Sequence, residues 1–361
     1  MTRLASRLAL AALLSLATVS SAVAAKLRVP TDHATIQAAI DAAAAGDKIE
    51  ISAGTYAEEL SIAKSDLTIQ AKSGHVVLID PGGAGRPLGI VLASDVTIKN
   101  LRFRNTADDV GIGIAISSNI TLEGCRVEDI PNDHGIDIGA ATVTLKKCRV
   151  TNVGGDGIHI GANDSTIKKC TIVDADGKGI AVLGTNVTLS GNTIEDAGGF
   201  GIEIGNSSSG ATSCLVSGNR VERANSPGIM ISSDASATTV SDNTVVDSAG
   251  HGVVVTGATS IVTGNTVKNA GGAGFQIVID GATLKNNTTK TSTQAGYAVF
   301  TNGGIFKKNV AKKGLSDGFD VQGTGNTFTK NTAKKNAALD LNDSTNPGDN
   351  TYSKNKFGTT N

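Results

Sequence analysis

A short pattern of hydrophobic and polar positions recurs along most of the chain. It consists of a Gly, an apolar residue, a variable residue and a second apolar residue, as in GIDI at 135 and GIHI at 157. The pattern also begins at residues 113, 179, 201, 228, 252, 274, 296 and 318, most often with a step of 22 residues. Because apolar and polar letters alternate with a period of two, each unit predicts a β-strand.

A second series of alternating segments lies between these units, for example VTLKKCRV at 143 and VTLSGNTI at 187. Each repeat therefore contains three short strands, and none of them can bury its apolar face alone. Stacking of equivalent units solves this problem and produces a solenoid of parallel strands, with about 4.8 Å between coils. We predict an all-β fold, a parallel β-helix over residues 63–361 with about 22 residues per coil and about a dozen coils.

Residues 26–62 are predicted to close the N-terminal end of this stack. Ile36, Ala39, Ile40 and Ala43 fall on one face of a helix, and Gly46 suits the end of that helix. Such a helix would cover the first coil and prevent pairing between exposed strand edges. We see no equivalent helical pattern near the C-terminus.

One column of residues between the second and third strand series is predicted to point into the solenoid. Its polar members can hydrogen-bond to one another along the stack. We interpret the cysteines of the column as buried, inert thiols, although a Cys125–Cys148 or Cys148–Cys170 disulfide stays open; Cys214 lies outside the column. The column consists of Leu101, Cys125, Cys148, Cys170, Asn192, Asn219, Asn243, Asn265, Asn287, Asn309, Asn331 and Asn355.

The first residues have the pattern of a secretory signal peptide. MTRLASR carries two Arg, LALAALLSLATV is apolar, and SSAVAA ends in small residues, so we expect cleavage after Ala24 or Ala25. The apolar run is too short for a stable span, and no later segment approaches about 20 apolar residues. We therefore expect residues 1–25 to direct export to the periplasm or the extracellular space, with no membrane span in the mature protein.

Charge adds one local feature to this picture. The formal net charge is −1, which implies no global partner such as nucleic acid. Residues 281–361, however, carry 11 Lys and 5 Asp, and Lys308, Lys330 and Lys354 recur just before the Asn column. These three lysines predict a basic ridge. One interpretation, which we favour at this point, is protection against aggregation; the other is contact with an anionic polysaccharide.

The opening ATIQAAIDAAAAGDKIEISAGTYAEELSI, with Glu58 and Glu59 after GTY, and the Asn column together resemble the right-handed parallel β-helix, or pectin-lyase-like, superfamily. The resemblance covers residues 27–361. It implies a right-handed solenoid. In members that act on polysaccharides, the outward face and its flanking loops carry the active groove. We identify no cofactor, and calcium enters by family analogy only.

The variable residue between the two apolar residues of each repeat points outward. In the first half of the chain, several residues in or beside this outward column are ionisable. Neighbouring coils place such side chains about 5 Å apart, and next-but-one coils about 10 Å apart. His159 can then act as a general base oriented by Asp137, and pairs of carboxylates can reach glycosidase separations. The alternative is an ordinary solvated strand face. The candidate catalytic residues are Asp133, His134, Asp137, Asp156, His159, Lys178 and Glu203.

The match to known catalytic motifs is partial. NDHGIDIG, GGDGIHIG and DGKGIAVLG are similar to the polygalacturonase series, with Asp156 at the second residue of its Asp pair. His134, Gly155 and Lys178 replace residues of that series, which argues against inverting hydrolysis. The pectin methylesterase segments are missing, the D-P-H-D signature of the mannuronan epimerases is also missing and NDHGID is only similar to it, and the arginine of the lyases has no clear counterpart.

Three functions follow as hypotheses. The first is interaction with a carbohydrate polymer as a polysaccharide lyase, epimerase or hydrolase that uses the outward face from Asp133 to Glu203. The second is a non-catalytic carbohydrate-binding or surface-structural solenoid. The third is a periplasmic accessory protein similar to the NosD-type β-helix proteins, for which the sequence has no metal-ligand cluster. No metal site and no oligomeric state are predicted.

Overall fold

A computed structural model describes residues 24–83, 85–104, 109–139, 142–206 and 210–361. All but the last residues of the predicted signal peptide lie outside this part of the chain. The described residues form three long parallel sheets that wind around one axis, which confirms the predicted all-β right-handed parallel β-helix. No helix among them is long and apolar enough to cross a membrane.

Sheet A contains the first strand of each coil. Its members are β1 (Lys26–Val29), β2 (Lys48–Ile51), β5 (Leu67–Ala71), β8 (Val96–Lys99), β11 (Ile120–Glu123), β14 (Val143–Lys146), β17 (Thr166–Lys168), β20 (Thr188–Ser190), β23 (Leu215–Ser217), β26 (Thr239–Ser241), β29 (Ile261–Thr263), β32 (Thr283–Lys285), β35 (Ile305–Lys307), β38 (Thr327–Thr329) and β41 (Thr351–Ser353).

Sheet B contains the second strand of each coil. Its members are β3 (Gly54–Tyr56), β6 (Val77–Ile79), β9 (Arg102–Arg104), β12 (Arg126–Ile130), β15 (Arg149–Val153), β18 (Thr171–Ala175), β21 (Thr193–Ala197), β24 (Arg220–Glu222), β27 (Thr244–Val246), β30 (Thr266–Lys268), β33 (Thr288–Lys290), β36 (Val310–Lys312), β39 (Thr332–Lys334) and β42 (Lys356–Phe357).

Sheet C contains the third strand, which includes the Gly-led repeats. Its members are β4 (Leu60–Ile62), β7 (Leu88–Val91), β10 (Ile112–Ala115), β13 (Ile136–Ile138), β16 (Ile158–Ile160), β19 (Ile180–Val182), β22 (Ile202–Ile204), β25 (Ile229–Ile231), β28 (Val253–Val255), β31 (Phe275–Ile277), β34 (Tyr297–Val299), β37 (Phe319–Val321) and β40 (Leu341–Asp343).

The three sheets contain 15, 14 and 13 of the described strands, so the stack is longer than the predicted dozen coils. The Gly-led repeat underestimates the number of coils because the earliest coils lack it. Their sheet C strands read LSI and LGIV and start without that Gly. They nevertheless pair in register with the later strands, Leu60 with Leu88 and Leu88 with Ile112.

Close packing explains why a Gly recurs before the strands of sheet C. A Cβ at Gly135 would lie 2.8 Å from the carbonyl oxygen of Gly157 on the next coil, and it would also overlap the side chain of Val150 in sheet B. The following Ile136 and Ile138 point inward and are fully buried. Only a residue without a side chain therefore lets the coil turn into sheet C at this point.

The predicted register of the first repeat is wrong by two residues. Asp137 pairs with Gly113, so the repeat starts at Gly111 and its outward residue is Gly113, whereas we predicted Gly113 and Ala115 for these positions. A Cβ at Gly111 would lie 2.5 Å from Cγ1 of Val127, as expected for the inward glycine. Ile116, which the sequence places inside, is exposed.

One seven-residue helix, α1 (Ile36–Ala42), covers the first coil, as predicted. Its side chains Ile36, Ala39 and Ile40 are buried. The Thr35 hydroxyl accepts the N–H of Ala38, and the Glu58 carboxylate accepts the N–H groups of Ile36 and Gln37, which satisfies the free donors of the first turn. Gly46 lies beyond the helix end, in a left-handed turn with φ +89°.

The inward column of Cys and Asn residues lies between sheets A and B. The Asn192 amide donates to Oδ1 of Asn219 at 2.9 Å, and equivalent bonds join Asn219 to Asn243 at 3.0 Å and Asn243 to Asn265 at 2.9 Å. The same oxygens also accept backbone N–H groups, such as that of Asn243. Each buried amide thus holds the turn of the preceding coil.

The four cysteines are buried free thiols. The neighbouring Cys148 thiol, together with burial, raises the pKa of Cys125 and of Cys170 well above the usual range. Burial also raises the pKa of Cys214. At neutral pH these three thiols are therefore protonated and poor nucleophiles. Hydrogen bonds from Cys125 and Cys170 lower the pKa of Cys148, so the interpretation of the column cysteines as inert stays a prediction.

Candidate functional site

The outward residues of sheet C form a straight column across neighbouring coils. Asp137 pairs with His159, His159 with Ala181, and Ala181 with Glu203. This order follows from the period of the coil, because every strand contributes one outward residue at the same height. Asp137 and His159 are therefore neighbours, whereas Glu203 lies three coils, or about 14 Å, from Asp137.

His159 and Asp137 are joined by a hydrogen bond. The Nδ1 atom of His159 lies 2.9 Å from Oδ1 of Asp137. This bond raises the pKa of His159, and it lowers the pKa of Asp137. Since a carboxylate can only accept, Nδ1 of His159 carries the proton, and the Nε2 lone pair of the neutral ring is available as a base.

His134 adds a second imidazole with the opposite tautomer. Its ring is stacked on that of His159, with the centroids 5.0 Å apart and the planes at 13°. Its Nδ1 atom accepts the backbone N–H of Asp156 at 2.8 Å. A neutral His134 therefore carries its proton on Nε2, so that one ring of the stack presents an acceptor and the other a donor.

The carboxylates of Asp156 and Asp133 accept hydrogen bonds from the backbone. Oδ1 of the buried Asp156 accepts the N–H of Lys178 at 2.8 Å, and Oδ1 of Asp133 accepts the N–H of His134 at 2.7 Å. These bonds shape the turns that enter sheet C. Asp156 also approaches His134, with 4.0 Å between Oδ2 and Nδ1. His134 is thus held by the carboxylate of Asp133 through its backbone N–H and by the backbone N–H of Asp156 through its ring.

Lys178 and Glu203 form a separate pair further along the column. The Nζ atom of Lys178 lies 2.5 Å from Oε2 of Glu203, whose side chain is buried. The ion pair holds the Glu203 side chain in place. Of the seven predicted residues, the structure brings His134, Asp137, Asp156 and His159 together. Asp133 lies in the turn before His134, and Lys178 and Glu203 lie at the edge of this group.

Sequence reasoning missed Arg86. This residue precedes β7, yet its side chain lies over the outward positions of β7 and β10, because both are glycines, Gly89 and Gly113. A Cβ at Gly113 would lie 2.8 Å from Cζ of Arg86. Nη2 of Arg86 donates to Oδ1 of Asp109 at 3.0 Å, and the guanidinium contributes to the lowered pKa of Asp137. The pair of outward glycines is the signal that could have identified it.

Arg86 thus continues the column one coil before Asp137. We call the group of Arg86, His134, Asp137 and His159 the sheet C site. A depression of about 550 Å³ adjoins it and is lined by Glu59, Ser61, Gly85, Arg86, Gly89 and Asp109, among others. A polymer lying along the solenoid axis would pass over this depression and the two imidazoles.

Two bulky apolar residues follow the strands next to the site. Leu92 and Ile116 occupy equivalent positions after β7 and β10, and both have left-handed backbone with φ 58° and 49°. Both are exposed, at 68% and 66%. This conformation is unfavourable for a bulky residue and most of all for a β-branched one. Strain of this kind often accompanies a functional surface.

The predicted basic ridge lies elsewhere. Lys308, Lys330 and Lys354 are exposed residues in the turns between sheets A and B, each with a left-handed φ of 56° or 57°. The turn needs one left-handed residue per coil, and in these coils that residue is a lysine. The ridge is therefore not part of the sheet C site.

The described residues contain no group of three or more His, Cys, Asp or Glu side chains arranged to hold a metal ion. Calcium requires several oxygen ligands around one point. Asp137 is hydrogen-bonded to His159, Asp156 accepts the backbone N–H of Lys178, and Glu203 lies about 14 Å from Asp137. The described carboxylates of this face therefore do not fit a calcium site.

Solved structures with a similar fold include two epimerases and a phage protein. The A-module of the mannuronan C-5 epimerase of Azotobacter vinelandii is 15% identical, with a TM-score of 0.55 over 90% of this chain and 94% of that chain. A periplasmic alginate epimerase is 12% identical, with a TM-score of 0.59 over 86% and 84%.

The enzymatically active domain of tailspike protein 2 from bacteriophage CBA120 is 13% identical, with a TM-score of 0.57. The match takes in 71% of this chain but only 44% of the tailspike chain, so the chain spans less than half the length of that relative. At these identities the likeness concerns the fold alone. No curated protein sequence matches the chain.

A family model described as the right handed beta helix region matches residues 88–245 and 227–361. These ranges cover well over half of the chain and include every strand of sheet C from β7 onward. From β7 onward, the residues that build the stack, which are the inward Ile and Val of each coil and the Gly at the entry to sheet C, lie within the match. The chain belongs to the right-handed β-helix family.

Proposed function

We propose that the chain is an exported β-helix protein that acts on a carbohydrate polymer by proton transfer at the sheet C site. The polymer is a polyuronate, in which the proton to be removed lies next to a carboxylate. The observation that carries the proposal is the His159–Asp137 hydrogen bond, with the Arg86 guanidinium over the preceding coil. The fold of two epimerases of carbohydrate polymers supports it.

The chemistry requires a base and a cation. Removal of a proton next to a carboxylate places negative charge on that carboxylate, so a nearby cation stabilises the transition state. Arg86 supplies a planar guanidinium that can bind a carboxylate through two N–H groups. His159, oriented by Asp137 through Nδ1, accepts the proton at Nε2.

His134 supplies the second proton. Its Nε2–H is a donor because Nδ1 accepts the N–H of Asp156. In a lyase, this proton passes to the leaving glycosidic oxygen as the double bond forms. In an epimerase, a proton returns to the same carbon from the opposite face; because His134 is stacked on His159, this proton comes from water on the far side of the sugar and not from His134. The first step is common to both reactions, and the product separates them.

Hydrolysis is the weaker candidate. Retaining glycosidases need two carboxyl groups about 5–5.5 Å apart, and inverting ones about 6.5–9.5 Å apart. Asp137 and Glu203 are about 14 Å apart by the coil spacing. Asp156 is buried and accepts a backbone N–H, so it cannot serve as an exposed partner of Asp137.

The test is a screen of purified protein on alginate, polymannuronate and polygalacturonate, with neutral dextran as the negative control. Absorbance of unsaturated ends reports elimination, reducing ends report chain cleavage of any kind, and incorporation of deuterium from the solvent reports proton exchange at carbon. We expect exchange or unsaturation that His159→Gln abolishes. Reducing ends without unsaturation would instead identify a hydrolase and refute the proposal.

Export is proposed from the pattern of residues 1–25. Mass spectrometry of the protein recovered from the periplasm or the medium should give an N-terminus at Ala25 or Lys26. Recovery of the full-length chain from the cytoplasm alone would contradict it.

A further inference from the structure

Sheet B carries a column of lysines in register. Lys268 pairs with Lys290, Lys290 with Lys312, and Lys312 with Lys334 on consecutive coils. All four are outward residues at the ends of β30, β33, β36 and β39. This column lies on a different sheet from the sheet C site, so it is a separate surface.

Further lysines border the column on both sides. Lys313 and Lys335 follow in the next turn, and a depression of about 230 Å³ is lined by Lys312, Lys313, Lys334 and Lys335. On the other edge lie the exposed ridge residues Lys308, Lys330 and Lys354. We call these nine residues the lysine face. They are the four lysines of the column, Lys313, Lys335 and the three ridge residues.

The charge of the lysine face is not neutralised within the described chain. None of its lysines forms an ion pair with a described residue. The described acidic residues that follow Lys268 in the chain lie on sheet C or in the segments that lead into or out of sheet C. The contrast is with Lys99 and Lys146 of sheet A, which both pair with Glu123 on the coil between them. Equal charges on neighbouring strands repel one another.

Protection against aggregation does not explain the position of the column. Protective lysines are needed on edge strands, whose N–H and C=O groups are free to pair with another chain. β30, β33, β36 and β39 are each hydrogen-bonded to a strand on both sides. A column of four repelling charges on internal strands therefore points to a partner that supplies the opposite charge.

We propose that the lysine face binds a linear anionic polysaccharide that lies along the solenoid axis. The lysines repeat once per coil, about every 4.8 Å on a straight line, and so meet an extended polymer with one charge per sugar unit. The neighbouring column reads Thr266, Thr288, Val310 and Thr332, so three of its four residues offer hydroxyl groups for the sugar. The lysine face binds the polymer but does not catalyse a reaction. Binding of the polymer to this face does not depend on the reaction proposed for the sheet C site.

Nucleic acid fits this surface less well. Duplex DNA carries one charge per about 1.7 Å on a helical path rather than on a straight line. Single strands are bound with the help of aromatic side chains on which the bases stack. The exposed described aromatic residues, Phe300 and Tyr352, follow or lie on strands of sheets C and A and not on sheet B.

The experiment measures binding of the intact protein to polygalacturonate, dextran, single-stranded DNA and anionic phosphatidylglycerol vesicles, each at low and high salt. The test variant carries Lys290→Gln, Lys312→Gln and Lys334→Gln. The matched control carries Lys99→Gln, Lys146→Gln and Lys168→Gln, three lysines in register on sheet A. Circular dichroism and thermal unfolding verify that both variants keep the fold.

We expect polygalacturonate to bind and dextran not to bind. The test variant should lose at least about tenfold in affinity, with a shallower salt dependence, because fewer counterions are released. The control variant should stay within about twofold of the parent protein.

Equal affinities of the test variant and the parent protein would overturn the proposal. Tighter binding of DNA or vesicles than of polygalacturonate, lost in the same variant, would also overturn it and assign the face to that other partner. The substitutions Lys290→Gln, Lys312→Gln and Lys334→Gln should cause the same loss of affinity when they are introduced into the parent and into the His159→Gln variant. A failure of the catalytic proposal is thereby kept apart from a failure of this one.

Discussion

The Nδ1 atom of His159 lies 2.9 Å from Oδ1 of Asp137, although the two residues are 22 positions apart in the chain. One coil of the solenoid separates them, so they are direct neighbours in sheet C. The bond raises the pKa of His159 and lowers the pKa of Asp137. Both shifts favour the charged pair, and this has consequences for stability and for activity.

The variant Asp137→Asn should reduce stability in one pH window only. The raised pKa of His159 adds stability that is fully present below about pH 6.5 and is lost as the pH rises through the folded-state pKa. The lowered pKa of Asp137 adds stability that is present above about pH 4 and is lost as the pH falls through its folded-state pKa.

Urea unfolding of the parent and of Asp137→Asn should therefore differ most between about pH 4 and 6.5. The difference should stay under about 1 kcal/mol, because the Asp137 carboxylate is partly exposed and screened by solvent. A difference that is constant from pH 4 to pH 9 would contradict the role of the pair. If His159 is the base, the acidic limb of the activity profile should also move to lower pH in this variant.

The variant Gly113→Ala should abolish activity on polyuronates with little loss of stability. Its Cβ would lie 2.8 Å from Cζ of Arg86 and displace the guanidinium from the column. The matched control is Gly89→Ala on the preceding coil, whose Cβ would lie 3.8 Å from Cδ of Arg86, an ordinary contact. Initial rates and melting temperatures of the two variants provide the check, and equal rates would show that Arg86 does not take part.

The variant Ile116→Asn should raise the free energy of unfolding by about 1 kcal/mol. Ile116 has φ 49° and is exposed, and Asn tolerates this backbone conformation better than a β-branched residue. Ile261→Asn serves as the control, because Ile261 is also exposed but lies in the regular strand β29. It should give no gain. If both substitutions stabilise equally, backbone strain at Ile116 is not the cause.

The variant Asn265→Leu should be strongly destabilising. Oδ1 of Asn265 accepts both the N–H and the amide of Asn243, at 2.9 Å each, inside the solenoid. The substitution costs about 1–3 kcal/mol for each buried group left without a partner. Asn346→Leu, the same change at an exposed position, should have little effect. Denaturant midpoints measure both, and an unchanged midpoint for Asn265→Leu would show that the bonds contribute nothing.

Period-two alternation and a constant step were sufficient to predict the sheets. The inward Ile136 and Ile138, the inward Asn column and the outward Asp137 and His159 all follow from this local pattern, because it states which side of a strand each residue faces. The pattern predicted the wrong register where two overlapping segments alternate equally well. GIGI at 111 and GIAI at 113 both satisfy it, and only pairing with β13 selects Gly111.

The sequence by itself determined the solenoid, its interior and the pairing of His159 with Asp137, because all of these repeat with the coil. The tertiary structure decided what does not repeat. Arg86 reaches the sheet C site from a turn, over the space that two glycines leave open. The tautomer of His134 depends on an N–H from the next coil. The column from Lys268 to Lys334 becomes a single surface only when four strands align. Each of these depends on distances between coils, which exist only after the chain has folded.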